Sequence, residues 1–150
     1  MLNENLTVTG NVFITIFDEQ GAVKDTRAIK NLVVTAGKTF IASSILKTTN
    51  SPAAMTYMGL GTGTTAAAAG DTTLQTPIAS SRVTFASATS ATNIVTYVAS
   101  FPAGTGTGAV TEAGIFNDVT AGTMLCRTVF SVVNKGANDA MSITWQITVS

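Results

Sequence analysis

Histidine is absent from this 150-residue chain, and cysteine occurs once, at Cys126. Without histidine, the side chain that most often acts as general base near neutral pH and most often binds transition metals is missing. Serine-histidine-aspartate and cysteine-histidine arrangements are therefore excluded, and a zinc site of the nitrogen and sulfur type cannot be assembled within one chain. A single cysteine closes no internal disulfide. Because its neighbours Leu125 and Arg127 fall in a strand-like run, Cys126 reads as a small buried hydrophobe rather than a reactive thiol. Charge is also sparse, at 11% of residues against about 25% in an ordinary globular protein. Eight basic and eight acidic residues cancel, and they are scattered, as in Lys24, Arg27 and Lys30 or Asp18, Glu19 and Asp25. No basic field is present to attract a phosphate backbone, which disfavours nucleic-acid binding. Aromatic residues interleaved with basic ones, the mark of single-strand binders, are missing too. No run approaches the roughly 18 apolar residues of a membrane span, and Met1-Leu2-Asn3-Glu4-Asn5 lacks the positive and then apolar opening of a signal peptide.

What the chain does have is apolar content, 45% of residues, enough for the core of one domain of ordinary size. Its remaining surface falls to Thr, Ser, Ala, Asn and Gly, neutral and short side chains that lose little conformational entropy when ordered at a contact. Such a surface suits crowded assembly. The clearest pattern is alternation with period two, which puts every second side chain on one face of a strand. Leu6, Val8, Val12, Ile14 and Ile16 share one parity near the start, with Phe13 and Phe17 as exceptions. Met141, Ile143, Trp145, Ile147 and Val149 share one at the finish. Trp145 on that parity reads as a core anchor.

Further runs rich in Val, Ile, Thr, Tyr and Phe lie between these ends, punctuated by Gly and Asn. Asp18-Glu19-Gln20-Gly21 reads as a hairpin turn, folding the first strand onto residues 22–29. A second hairpin is expected to join 82–88 to 94–101 across 89–93, and a third to join 113–116 to 124–133 across 117–122. Residues 134–139 form the turn into the last strand. Phe40, Ile41, Ser44 and Ile45 instead follow helical spacing after a Thr35 cap, predicting one short helix near residues 35–47 whose apolar stripe covers an open end of the sheets. Residues 66–74 read as a loop. With one helix, the repeated crossovers of a parallel sheet are unavailable, so the expected fold is all-β, an antiparallel β-sandwich of jelly-roll type in one domain.

Residues able to carry chemistry are few. Gly59-Leu60-Gly61-Thr62-Gly63-Thr64-Thr65 invites comparison with nucleotide-binding glycine loops, but no Gly-Lys-Ser/Thr ending and no helix follow it. The alternative is a glycine-rich strand exit where backbones pack closely. Glu112 lies between apolar neighbours in Ala109–Phe116; as one of a catalytic carboxylate pair it has no obvious mate, and the simpler reading is a structural carboxylate bonded to backbone or to Arg82 or Arg127. Asp71 or Asp118 with loop carbonyls could meet calcium, but no D-x-D-x-D-G series is present. No catalytic residue, cofactor site or metal site is assigned. The polar stretch at residues 1–6 reads as an N-terminal arm that adds to a neighbour's sheet edge, with Leu2 and Leu6 as its interface anchors.

Taken in order and spacing, Met58–Thr65, Gly70-Asp71-Thr72-Thr73-Leu74, Arg82, Phe101-Pro102-Ala103-Gly104, Thr111–Phe116, Leu125–Phe130 and Lys135–Trp145 resemble a group of small structural proteins of tailed bacteriophages. The resemblance spans roughly residues 30–150 and covers capsid cement, or decoration, proteins and tail or fibre components. It implies a virion protein on the capsid exterior, made in the host cytoplasm, that bridges major capsid subunits. Its partners would be copies of itself, as trimers, and the major capsid protein or other virion proteins, without direct nucleic acid or membrane contact. A tail, baseplate or fibre subunit is the alternative it leaves open. A carbohydrate-binding module is a third class, against which stands the lack of an obvious exposed aromatic platform.

Overall fold

A computed structural model describes residues 2, 4–46 and 51–150. Among these the chain forms β1 (Val8–Phe17), β2 (Val23–Val33), α1 (Thr35–Leu46), β3 (Tyr57–Gly61), β4 (Val83–Thr84), β5 (Ser87–Ala91), β6 (Ile94–Phe101), β7 (Gly108–Phe116), β8 (Met124–Lys135) and β9 (Ala140–Val149). Every pairing is antiparallel, in the order β4-β3-β7-β8-β2-β1-β9-β6-β5, and the sheet curls into a half-barrel. The chain is thus all-β and sandwich-like with one short helix, as its alternation and its single helical segment predict.

Two segments carry the chain between the two halves of the curled sheet and make its corners. β2 lies along β1 from Gly10↔Asn31 to Phe17↔Val23, yet meets β8 only at Leu32↔Arg127 and Val33↔Cys126. On the far side, Val83 and Thr84 pair with β3, Phe85 N–H bonds the Thr56 carbonyl, Ala86 N–H bonds the Val98 carbonyl, and Ser87–Ala91 then pair with β6. The single strand expected over 82–88 is therefore divided into β4 and β5. Its turn is also shorter than residues 89–93: Ala91 faces Ile94 directly, leaving Thr92-Asn93 as a two-residue connection with Thr92 at a φ of 53°. A positive φ at the first turn position suits the twist of a two-residue hairpin, and sequence rules look for glycine or asparagine there.

The core fills the space between the two halves. Val12, Ile14 and Ile16 of β1 and Met141, Ile143 and Trp145 of β9 face Met58, Leu60, Val110 and Ile115 across it, all buried. Each such side chain contributes roughly 1.5–3 kcal/mol by leaving water. The first turn works as expected: the Asp18 carboxylate accepts the Gln20 and Ala22 N–H groups (3.0 and 2.9 Å), and Gly21 takes a φ of 81°.

α1 closes one end of the half-barrel, with Phe40 and Ile41 against the core. Gly37 lets its backbone lie on β8, since a Cβ there would fall 2.7 Å from the Leu125 carbonyl carbon. Thr35, expected as the cap, is the first helical residue; the Val34 carbonyl accepts the Lys38 N–H (3.0 Å), so the cap is one residue earlier. That shift has a cause in packing, because Val34 is buried against Leu74, Phe116 and Met124 and so sets where the helix can begin.

Candidate interaction surface

Charged groups inside the molecule are hydrogen-bonded, and one cluster organises the long loop between β3 and β4. Glu112 is fully buried on β7. Its carboxylate accepts the backbone N–H groups of Gly63 (3.0 Å), Gln75 (3.0 Å) and Thr76 (2.7 Å) and the Arg127 guanidinium through Nε and Nη2, each at 2.8 Å. Arg127 reaches on to Asp71 (2.8 Å) and the Thr65 carbonyl (3.0 Å). The glycine-rich segment does cradle an anion, and that anion is Glu112. Gly61 and Gly63 are required for the approach: a Cβ on Gly63 would lie 2.6 Å from Glu112 Oε1, and one on Gly61 2.6 Å from the Thr76 carbonyl oxygen. Of the two arginines considered for Glu112, Arg127 is the partner. Arg82 instead lies 3.5 Å from the Phe116 ring centroid and donates to the Asp118 and Ala121 carbonyls (2.8 Å each).

The remaining carboxylates of interest are similarly engaged. Asp71 accepts the Ala68 N–H (2.9 Å), which with Arg127 holds its pKa below the ordinary carboxylate value. Asp118 is held low by the Ala121 and Thr120 N–H groups. Asp139 is held low by Lys24 (2.6 Å) and then by the Gly136 N–H. Lys135 is buried with its ammonium on the Pro102 and Asp139 carbonyls (3.0 and 2.7 Å), and burial pushes its pKa down. Cys126 is buried, which pushes its thiol far up and away from the nucleophilic thiolate. Among the described residues no group of three His, Cys, Asp or Glu side chains could hold a metal ion. Asp71 and Asp118 lie in separate turns, each taken up by backbone donors.

The surface departs from this interior at the α1 end. Leu2 and Leu6 are 94% and 72% exposed, and Ile45 is 74% exposed. Leu6, Val8, Ile41 and Ile45 line a groove of about 510 Å³ together with Lys38. On the other side of the Ile41–Ile45 ridge, a second groove of about 350 Å³ is walled by Phe40, Val95, Tyr97, Leu125, Ile147 and Val149. The root of the arm is fastened at this end, where the Thr7 N–H and hydroxyl both bond the Ser150 carbonyl. Of the two anchors expected from sequence, Leu6 joins this apolar surface; Leu2 is exposed and lines neither groove. The sequence placed Ile45 with Phe40, Ile41 and Ser44 in the stripe that covers an open end of the sheets; Phe40 and Ile41 do pack on the core, but Ile45, one turn further on, stands in solvent.

No protein family, curated protein or solved structure matches the chain.

Proposed function

We propose that this protein is a virion structural component, a capsid cement protein whose work is adhesion: it holds neighbouring shell subunits together through apolar contact and backbone pairing. The observation that carries the adhesive part is the exposure of Ile45 and Leu6 on one groove wall, with the half-buried Ile41 between two apolar grooves. A monomer gains nothing by leaving side chains as apolar as Ile45 and Leu6 side by side in water, and such patches mark contact sites. The virion setting rests on the resemblance of the ordered motifs between residues 30 and 150 to small phage structural proteins. Few charges on the surface keep desolvation inexpensive, and stable contacts of this kind bury about 1,200–2,000 Å². Many copies on one shell then multiply weak contacts by avidity.

Cryo-electron microscopy of virus particles purified from cells that make this chain tests the reading. Density for the chain at regular positions over the shell, with the α1 end against the capsid protein, is the expected result. Density confined to a tail, baseplate or fibre would replace the cement role with that of a tail component, and absence of the chain from the particle would end the virion reading.

A further inference from the structure

Among the described residues two strands of the sheet have a long side without a strand partner, and they are built differently. β2 meets β8 only at Leu32 and Val33, so from Val23 to Asn31 its outer side has no strand partner among the described residues. That stretch carries Lys24, Asp25, Arg27 and Lys30, four of the sixteen charges in the chain. Charged side chains on an edge are a standard guard against pairing with another chain. β5 is the last strand of the order, and all five of its residues, Ser87-Ala88-Thr89-Ser90-Ala91, are exposed. It has no charge, no proline and no register shift against β6.

The hairpin geometry says which of its groups are free. Because Ala91 and Ile94 flank a two-residue turn, they form a hydrogen-bonded pair, and so do Thr89 and Thr96 two residues on. The N–H and C=O groups of Ala88 and Ser90 therefore point away from β6. A groove of about 670 Å³, walled by Phe40, Pro52, Met55 and Tyr97, lies beside these residues.

We infer that β5 is a homotypic pairing edge, taking the β5 strand of a second copy of this chain in antiparallel register across a two-fold axis centred on Thr89. In that register Ala88 exchanges both backbone bonds with Ser90 of the partner, and Ser90 with the partner's Ala88, giving about four bonds. Thr89 meets its own counterpart as a non-hydrogen-bonded pair with Cα atoms about 4.5 Å apart, an arrangement favourable for threonine. Charge favours a second copy as the occupant. A neutral strand pairs with itself without setting like charges opposite each other, whereas β2 paired with itself would bring its lysines and arginine near one another. The contact is isologous and therefore joins copies in twos, unlike the ring of three that the phage resemblance implies. It goes beyond the virion reading and is tested on the purified chain alone, so its failure leaves that reading standing and the reverse is also true.

The test uses Thr89→Cys, with Thr26→Cys on the guarded β2 edge as control and the native Cys126 buried. Mild oxidation is expected to convert the Thr89→Cys chain to a disulfide-linked dimer while the control stays monomeric, since the two-fold pair brings the Cα atoms within the roughly 4.4–6.8 Å a disulfide spans. Sedimentation of the unmodified chain is expected to show a monomer-dimer equilibrium that Thr89→Lys weakens at least tenfold and Thr89→Val leaves in place, with thermal melts confirming that each variant folds. Three results would each overturn the inference: a chain that sediments as monomer at every concentration reached, an oligomer that Thr89→Lys leaves intact, or crosslinking at Thr89→Cys no faster than at Thr26→Cys.

Discussion

The loop held by Glu112 and the α1 end invert the usual distribution of polarity in a small protein. In the first, Glu112 and Arg127 are withdrawn from water and bonded to backbone and to each other. In the second, Leu6 and Ile45 stand in solvent. The difference teaches that in the first region charge fixes a glycine-rich loop against the sheet, while in the second apolar side chains contribute little to the fold and stand free for the contact proposed above. A buried ion pair is weak evidence of net stabilisation, but removing one partner leaves the other desolvated and unpaired. Apolar side chains already in solvent have no such debt to the fold. The two regions should therefore respond oppositely to substitution: the first through stability, the second through association.

The largest expected effect is at Arg127. Arg127→Ala strands Glu112 without its guanidinium and frees Asp71 and the Thr65 carbonyl, and is expected to cost about 3–5 kcal/mol in urea unfolding. Gly63→Ala comes next, at about 1–3 kcal/mol, because its Cβ must displace Glu112 or Gln75; a melting temperature unchanged by this substitution would detach the glycines from the carboxylate. Arg82→Ala should cost less, about 1–2 kcal/mol, through loss of the Phe116 ring contact and the two carbonyl bonds of the Asp118 turn. The smallest effect on stability is expected at the α1 end, where Leu6→Asp and Ile45→Asp should each change unfolding by about 0.5 kcal/mol or less.

Acid sharpens the same contrast. Asp71, Asp118 and Asp139 are each held below their ordinary value of 3.8. A carboxylate with a lowered native pKa contributes stability that is complete above its unfolded value and lost as pH falls through the native one. Unfolding free energy should therefore hold steady at mildly acidic pH and decline once pH drops below about 3.8. Lys135 has the opposite sign: burial lowers its pKa, so its cost is relieved as pH rises through the lowered value toward 10.5. Stability measured across both limbs checks these directions, and the Asp71 component of the acid limb should shrink in Arg127→Ala while the part due to the Ala68 N–H remains.

Much of the fold was legible because strand alternation is a local signal. Met141 to Val149 declares its buried face residue by residue, and the helix over 35–46 stands out by its change of period. The turn at Asp18 was readable for the same reason, since its bonds run to Gln20 and Ala22. The division of β4 from β5 was not, because it depends on where β3 and β6 lie, and Thr92 gives no local hint of a positive φ. Glu112 and the glycine segment were both noticed, yet their union was hidden: Gly63 and Glu112 are 49 residues apart, and nothing in either neighbourhood names the other. Leu6 was legible as an exposed anchor, whereas Ile45 was not, since helical spacing puts it on the same stripe as Ile41, which packs against the core, while Ile45 itself is exposed.

The adhesive role of the α1 end is tested most directly by measuring how tightly the Leu6→Asp, Ile45→Asp double variant binds assembled particles stripped of this protein, beside the unsubstituted chain. The expected result is binding weakened at least tenfold with an unchanged unfolding curve. Full binding by the double variant would contradict the claim that this apolar surface is what the protein uses to hold its partners.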